Sequence, residues 1–185
     1  MNNIIKLTKD TKLEFAFGNV IEGKEHQVFA EYFPLVRPII AEYGSQQLAT
    51  FAVLASNVEG VKPTQGAISQ WPEVKGHEKL MGDERFVRHL PIRDEVMDLL
   101  SDGHIFDTTD NDIEISSGEE YGFMVSSEIP SHINSLVQLG LAEGSYNREY
   151  SNKSLVLFSW SSDAENLLEK NQGDLTILKV KFNPQ

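Results

Sequence analysis

Apolar residues alternate with polar or small residues near the start of the chain. In the segment LEFAFGNVIEG, Leu13, Phe15 and Phe17 occupy every second position. A period of two is typical of a β-strand with one buried face, and Gly23 marks its end. We therefore predict a strand here, with its phenylalanines in the core.

The next segment, KEHQVFAEYFPLVRPIIAEYG, has its apolar residues three and four positions apart. This spacing predicts a helix with one apolar face that ends at Gly44. Pro34 and Pro38 lack a backbone donor and crowd the preceding turn, so we expect them to kink the helix.

The following segments complete a recognisable order of elements. QQLATFAVLAS and PTQGAISQW predict two strands. The stretch from VKGHEKL to VMDLL predicts a helical region broken near Gly82 and again at Pro91, and GHIFDTTD predicts a closing strand. The order strand, helix, strand, strand, helix, strand is that of the split-βαβ, or ferredoxin-like, motif.

The residues after 108 repeat this order in shortened form. DNDIEISSGEE is acidic and rich in turn-forming residues, which indicates a linker. EYGFMVSS predicts a strand, IPSHINSLVQL a helix, GLAEGSYNREY and SLVLFSW two strands, SSDAENLLEKN a helix and DLTILKVKF a final strand. We predict a first half at residues 11–108, a linker at 109–118 and a shorter, degenerate second half at 119–184.

Matching residues support an internal repeat. Glu14 in the first strand corresponds to Glu120, 106 residues later. Trp71 ends a strand before a helix, and so does Trp160. Because several strands are apolar on both sides, each sheet requires a second sheet to cover it. The expected fold is α+β, with two βαββαβ halves packed sheet to sheet as an intrachain α+β barrel; two independent domains are the alternative.

Composition excludes several classes of function. Among 185 residues, 40% are hydrophobic and 24% are charged, which is typical of a folded protein. The net charge of −12 disfavours binding to nucleic acid. The chain has no cysteine, which excludes disulfides and thiolate metal sites. It has neither the pattern of a signal peptide nor an apolar run long enough to span a bilayer, so we expect a cytoplasmic protein without a membrane partner.

The first half resembles the dimeric α+β barrel superfamily, which includes antibiotic-biosynthesis-type monooxygenases and families of unknown function. The resemblance rests on FAEYFPLVRPIIAEYG with Pro38 and Gly44, on ISQWPE and GDERF, and on a closing segment with Arg88 or Arg93. The second half matches by element order and by its tryptophan. The resemblance implies a pocket between helices and sheet, and a protein that is either a monomeric pseudo-dimer or a homodimer.

The activities in this superfamily are diverse. Members oxidise aromatic polyketides without a cofactor, degrade haem, decompose chlorite or isomerise lactones, and some have no known activity. The Asn, Trp and His that haem-degrading members use correspond here to Ala16, Leu80 and Leu90, so the resemblance does not imply haem degradation. No nucleotide-binding motif or metal-ligand motif is present, and we expect no cofactor and no metal.

The resemblance leaves two functions open: a cofactor-independent, monooxygenase-like enzyme acting on an apolar or aromatic substrate, and a non-catalytic ligand-binding or protein-interaction module. For the enzyme, His89 is the candidate acid–base residue, because histidine transfers protons near neutral pH; a partly exposed helical histidine is the alternative. Candidate binding residues, each of which could instead be a core or solvent-exposed residue, are Trp71, Tyr32, His77, Phe15, Phe51 and Arg37.

Overall fold

A computed structural model describes residues 3–108, 111–170 and 174–183. In the first part of the chain the elements are β1 (Ile4–Leu7), β2 (Lys12–Val20), a π-helical segment (Gln27–Tyr32) that continues into α1 (Phe33–Glu42), β3 (Gln46–Ser56), β4 (Gln65–Trp71), α2 (Val74–Met81), α3 (Glu84–Val87), α4 (Leu90–Val96), β5 (Met97–Ser101) and β6 (Ile105–Asp107). They are followed by β7 (Ile113–Ser116), β8 (Glu120–Ser126), β9 (Ser135–Gly140), β10 (Ser154–Ser159), α5 (Ser162–Lys170) and β11 (Thr176–Phe182).

The strands form one large antiparallel sheet and a small ribbon. The large sheet runs in the order β5-β2-β4-β3-β11-β8-β10-β9, and β6 also pairs with β2. Strands β3 and β11 join the two halves, with Phe51 opposite Phe182. The expected α+β class with antiparallel pairing is therefore confirmed. In the described residues the helices lie between β2 and β3, between β4 and β5, and between β10 and β11.

The sheet is not closed into a barrel, and this part of the prediction is wrong. The strand path begins at β5 and ends at β9. Within the described residues, an isolated bridge links Phe106 in β6, which pairs with β2 beside β5, to Leu141 just after β9. Strand β6 has only 3 residues and β9 ends at Gly140, and no continuous ladder joins them in this part of the chain.

The second half differs from the prediction where a helix was expected in IPSHINSLVQL. Residues 135–140 instead form β9, in which Val137 and Leu139 are buried while Leu136 and Gln138 are exposed. This alternation is a period of two, which is typical of a strand with one buried face. The second half therefore lacks the helix between its first two strands.

The predicted linker also contains regular structure. Its residues 113–116 form β7, which pairs with β1 so that Ile115 lies opposite Ile5. Both isoleucines are buried against the large sheet. Residues 109–110 of the linker, and residue 184 at the end of the predicted second half, lie outside the described residues.

Proline and glycine residues lie at several of the helix boundaries, whereas Pro38 lies inside α1. The chain forms a wide π-helical segment before Pro34, which lies in the first turn of α1, where its missing donor costs little. Gly82 caps the end of α2, and Pro91 lies in the first turn of α4. The helical region nevertheless ends at Val96, because Met97–Ser101 pairs with β2 as β5.

Aromatic side chains from both halves fill one shared core. The Phe15 and Phe123 ring centroids are 4.8 Å apart, and those of Phe51 and Phe123 are 5.2 Å apart. Two further cores lie under the helices, one beneath α1–α4 and one beneath α5. Within the described ranges, each helix is too short or too polar to cross a membrane.

Candidate functional site

A pocket of about 360 Å³ lies where the two halves meet. It is bounded by α2, by the turn between β5 and β6, and by the loop that connects β9 to β10. Its lining residues are His77, Met81, Asp102, Gly103, Tyr146, Asn147 and Arg148. The first half contributes a histidine and an acidic residue, and the second half contributes an aromatic, an amide and a basic residue.

Local packing positions His77 at this pocket. Helix α2 follows directly after the buried Trp71 at the end of β4. A Cβ atom at Gly76 would lie only 2.7 Å from the carbonyl oxygen of Tyr43 and 3.4 Å from the Trp71 ring, so glycine allows the helix to pack this closely. The His77 ring consequently meets the Trp71 ring edge to face, with a centroid separation of 5.2 Å.

A glutamate from β2 underlies the histidine. The Glu14 carboxylate accepts hydrogen bonds from Trp71 Nε1 at 3.0 Å and from the backbone nitrogen of Gly103 at 3.1 Å. His77 Nε2 lies 3.7 Å from Glu14 Oε1. The side chains of His77 and Glu14 are 6% and 14% exposed, respectively, so they form a largely desolvated acid–base pair. Nδ1 of His77 is buried and has no hydrogen-bond partner among the described residues.

The turn between β5 and β6 gives the pocket its floor. Gly103 adopts a φ of +67°, a conformation that favours glycine. A Cβ atom there would lie 3.6 Å from the His77 ring and 3.6 Å from Tyr146, so the turn passes close beneath both side chains. Its backbone nitrogen is thereby aimed at Glu14.

The loop from the second half is held against the first half by hydrogen bonds. The backbone nitrogen of Asn147 donates to the Gly103 carbonyl at 3.0 Å, and Asn147 Nδ2 donates to the Asp102 carbonyl at 3.2 Å. The buried Ser145 hydroxyl accepts from the backbone nitrogen of Ile105 at 3.0 Å. Tyr146 is 61% exposed, and its ring centroid lies 6.0 Å from that of His77. The loop therefore forms a fixed wall with an exposed aromatic at its edge.

A second histidine lies directly behind the pocket. His104 is fully buried, stacks on Tyr150 with a centroid separation of 3.9 Å, and places Nδ1 3.2 Å from the Ser101 hydroxyl. Burial lowers the pKa of His104, which favours its neutral form. Burial also raises the pKa of the Tyr150 hydroxyl. This stack supports the loop and does not line the pocket.

Of the residues predicted for a site, the structure brings together His77 and Trp71. Tyr32 lies in the core beneath the helices, where burial raises its pKa to about 12. Phe15 and Phe51 belong to the core shared by the halves.

The other two predicted residues lie outside the pocket lining, Arg37 on α1 and His89 in the turn before α4. The guanidinium of Arg37 packs over the Phe33 ring at 4.7 Å. His89 directly precedes α4, is half-buried, and accepts a 3.4 Å hydrogen bond at Nε2 from Arg88 Nε. Glu14, Tyr146 and Arg148 were not predicted as site residues; the signal for Glu14 was a carboxylate between the apolar residues Leu13 and Phe15.

A second hollow, of about 450 Å³, lies where residues 126–130 meet Asp174 and Leu175. Its carboxylate is already engaged, because Asp174 accepts from Ser127 at 2.6 Å and pairs with Lys153 at 2.9 Å. It contains no histidine. Across residues 3–108, 111–170 and 174–183, no three histidine, aspartate or glutamate side chains lie close enough together to hold a metal ion.

Comparison with protein-family models, with curated proteins and with solved structures finds no match to this chain. Its function therefore has to be argued from the geometry of the pocket.

Proposed function

We propose that the pocket between the halves binds a small molecule with a planar or aromatic group, and that His77 exchanges a proton with it. The observation that supports this proposal is a buried imidazole at the wall of a cavity, 3.7 Å from a carboxylate that is 14% exposed. Desolvated titratable groups that face a cavity are common at functional sites.

Glu14 has the role of a positioning residue in this proposal. Two donors, Trp71 Nε1 and the Gly103 backbone nitrogen, hold its carboxylate in place. A fixed carboxylate beside an imidazole stabilises the imidazolium form that follows proton uptake. His77 is therefore suited to remove a proton from an acidic O–H or C–H group of a bound substrate. Proton transfer of this kind requires no cofactor.

This proposal retains the cofactor-independent, monooxygenase-like reaction class that the resemblance implies, but it assigns the base to His77 instead of His89. Two observations support an origin in two ferredoxin-like halves within a monomeric pseudo-dimer. The first-half strands run β5-β2-β4-β3 and the second-half strands run β11-β8-β10-β9, which is the order fourth, first, third, second in each case. Trp71 ends the third of these strands in the first half, and Trp160 follows the third in the second half.

A non-catalytic ligand-binding protein is the second candidate. The exposure of Tyr146, at 61%, favours it, because an enzyme of this type excludes water from the reacting group. Both candidates require binding at the same pocket. They differ in whether His77 affects only affinity or also turnover.

Fluorescence of Trp71 offers a direct test of binding. The chain has two tryptophans, so a Trp160→Phe background leaves Trp71 as the only indole reporter, 5.2 Å from His77. We expect aromatic ligands, such as naphthoate and quinols, to change its emission in a saturable manner. In the same background, His77→Asn is expected to weaken binding about tenfold or more, whereas the control His26→Asn, at a side chain that is 80% exposed, leaves binding unchanged.

Product analysis in the presence of oxygen separates the two candidates. Turnover by the wild type that is lost in His77→Asn but kept in His89→Asn supports the enzyme. Saturable binding without product supports the ligand-binding protein. Unchanged Trp71 emission across the whole panel, or equal affinities for the wild type and His77→Asn, contradicts the assignment of this pocket.

A further inference from the structure

We infer that the ligand of this pocket is an aromatic carboxylate whose carboxyl group binds Arg148. This inference rests on the proposed function and specifies the class of ligand. It is carried by the pairing pattern of the arginines, by the charges around the pocket and by the aromatic edge at its mouth.

Arg148 differs from the other arginines of the chain. It lines the pocket, and within the described residues its guanidinium has no ion pair, hydrogen bond or ring contact. The other four each have a partner: Arg37 packs on Phe33, Arg85 pairs with Asp83 and Glu42, Arg88 contacts His89, and Arg93 pairs with Asp94 and Asp102.

Within the described parts of the chain, the guanidinium of Arg148 is free to pair with a group on a ligand. The planar fork of an arginine matches a carboxylate, which it binds through two parallel hydrogen bonds. The acidic residue of the lining, Asp102, already pairs with Arg93 at 3.2 Å, which reduces its repulsion of an anion.

The remaining lining suits a flat ring. The Tyr146 and His77 rings lie 6.0 Å apart at an angle of 56°, and the Met81 side chain also lines the pocket. Aromatic rings and a methionine thioether pack well against a flat apolar ligand. A volume of about 360 Å³ is at the small end for ligand pockets and suits a ligand of one or two rings.

Matched acids and amides test this inference. In the Trp160→Phe background, Trp71 emission is titrated with benzoate and naphthoate, and separately with benzamide and naphthamide, which keep the ring and lose the charge. Inorganic phosphate serves as an anion without a ring. We expect the acids to bind about tenfold or more tightly than the amides, as a charge-assisted pair predicts, and phosphate to bind more weakly than the acids.

Three variants identify the residue responsible. Arg148→Gln is expected to lower the affinity for the acids to that for the amides, Arg148→Lys to keep part of the preference, and the control Arg88→Gln to keep all of it. Arg148 is exposed, so these substitutions leave the fold intact, which far-UV circular dichroism checks.

The results separate failure of the aromatic-carboxylate inference from failure of the proposed ligand binding. If acids and amides bind the wild type equally well, or if Arg148→Gln keeps the preference for acids, the inference is overturned while the pocket remains a binding site. Phosphate binding as tight as that of the acids would also overturn it, because the ring would then contribute nothing. Absence of binding by every compound would overturn the proposed function as well.

Discussion

The hydrogen bonds of Glu14 lead to a quantitative prediction about the site. Its two carboxylate oxygens accept from two different donors, Trp71 Nε1 and the Gly103 backbone nitrogen. Trp71 is 1% exposed, so water cannot replace the glutamate as its partner without rearrangement of the core. Removal of one acceptor oxygen should leave one donor unsatisfied, and removal of both should leave two.

The size of the effect follows from the number of donors left without a partner. A buried donor that loses its acceptor costs about 1–3 kcal/mol. Glu14→Gln keeps one acceptor oxygen and replaces the other by an amide group that cannot accept, so we expect a loss of about 1–3 kcal/mol. Glu14→Met has a similar length and no oxygen, so we expect a loss of about 2–6 kcal/mol.

Urea unfolding followed by circular dichroism measures these losses. Glu114→Gln, at an exposed position of β7, is the control and is expected to change the free energy of unfolding by less than about 0.5 kcal/mol. A Glu14→Met variant as stable as the wild type would show that these two donors do not depend on Glu14. A Glu14→Gln variant less stable than Glu14→Met would also contradict the prediction, because the ranking depends on the number of donors.

Three further predictions concern the fold. Gly122→Ala would place a Cβ atom 2.1 Å from the Phe158 ring and is expected to lower stability by at least about 1–3 kcal/mol in urea unfolding, whereas an unchanged midpoint would contradict this packing. Burial lowers the pKa of His104 from 6.5, so on acidification the unfolded state binds a proton before the folded state does. The free energy of unfolding of the wild type should therefore fall relative to that of His104→Phe as the pH is lowered from about 7.5 to 5. A difference between the two proteins that does not change with pH would contradict the shift. The Phe15 and Phe123 rings touch across the halves, so in a double-mutant cycle the losses of unfolding free energy from Phe15→Leu and Phe123→Leu should differ from additivity by about 0.5–1.5 kcal/mol. Additive losses would argue against a shared core.

The elements with clear periodicity could be predicted from sequence. The alternation around Phe15 and the breaks at Gly82 and Pro91 gave β2 and the three short helices α2–α4 correctly, since these signals arise from backbone constraints and one-sided burial. Burial of strands on both faces was also anticipated. In β8, residues 121–126 are all buried, because the shared core covers one face and the α5 side covers the other.

The errors arose where tertiary pairing overrides the local pattern. The segment DNDIEISSGEE as a whole is acidic and rich in turn-forming residues, yet its residues 113–116 form β7 because β1 supplies a partner from more than 100 residues away. IPSHINSLVQL has apolar residues compatible with either period, and the edge position beside β10 selects a strand. Barrel closure depends on the lengths of β6 and β9, which composition does not determine.

The site was predictable only in part, because it is assembled from distant segments. His77 and Trp71 were recognised as candidates on their own chemistry. Their connection through Glu14 depends on the pairing of β2 with β4, and Tyr146 and Arg148 come from a loop of the other half. No spacing in the sequence links these positions. His89, the first choice from sequence, has the right chemistry but lies outside the pocket lining.

An amide NMR titration with naphthoate locates the ligand-binding site residue by residue. If the pocket between the halves is the binding site, the largest shift changes will be at residues 77, 103 and 146–148, and they will require about tenfold or more naphthoate in His77→Asn. Largest changes at residues 126–130 and 174–175 would place the ligand in the other hollow and would contradict the account.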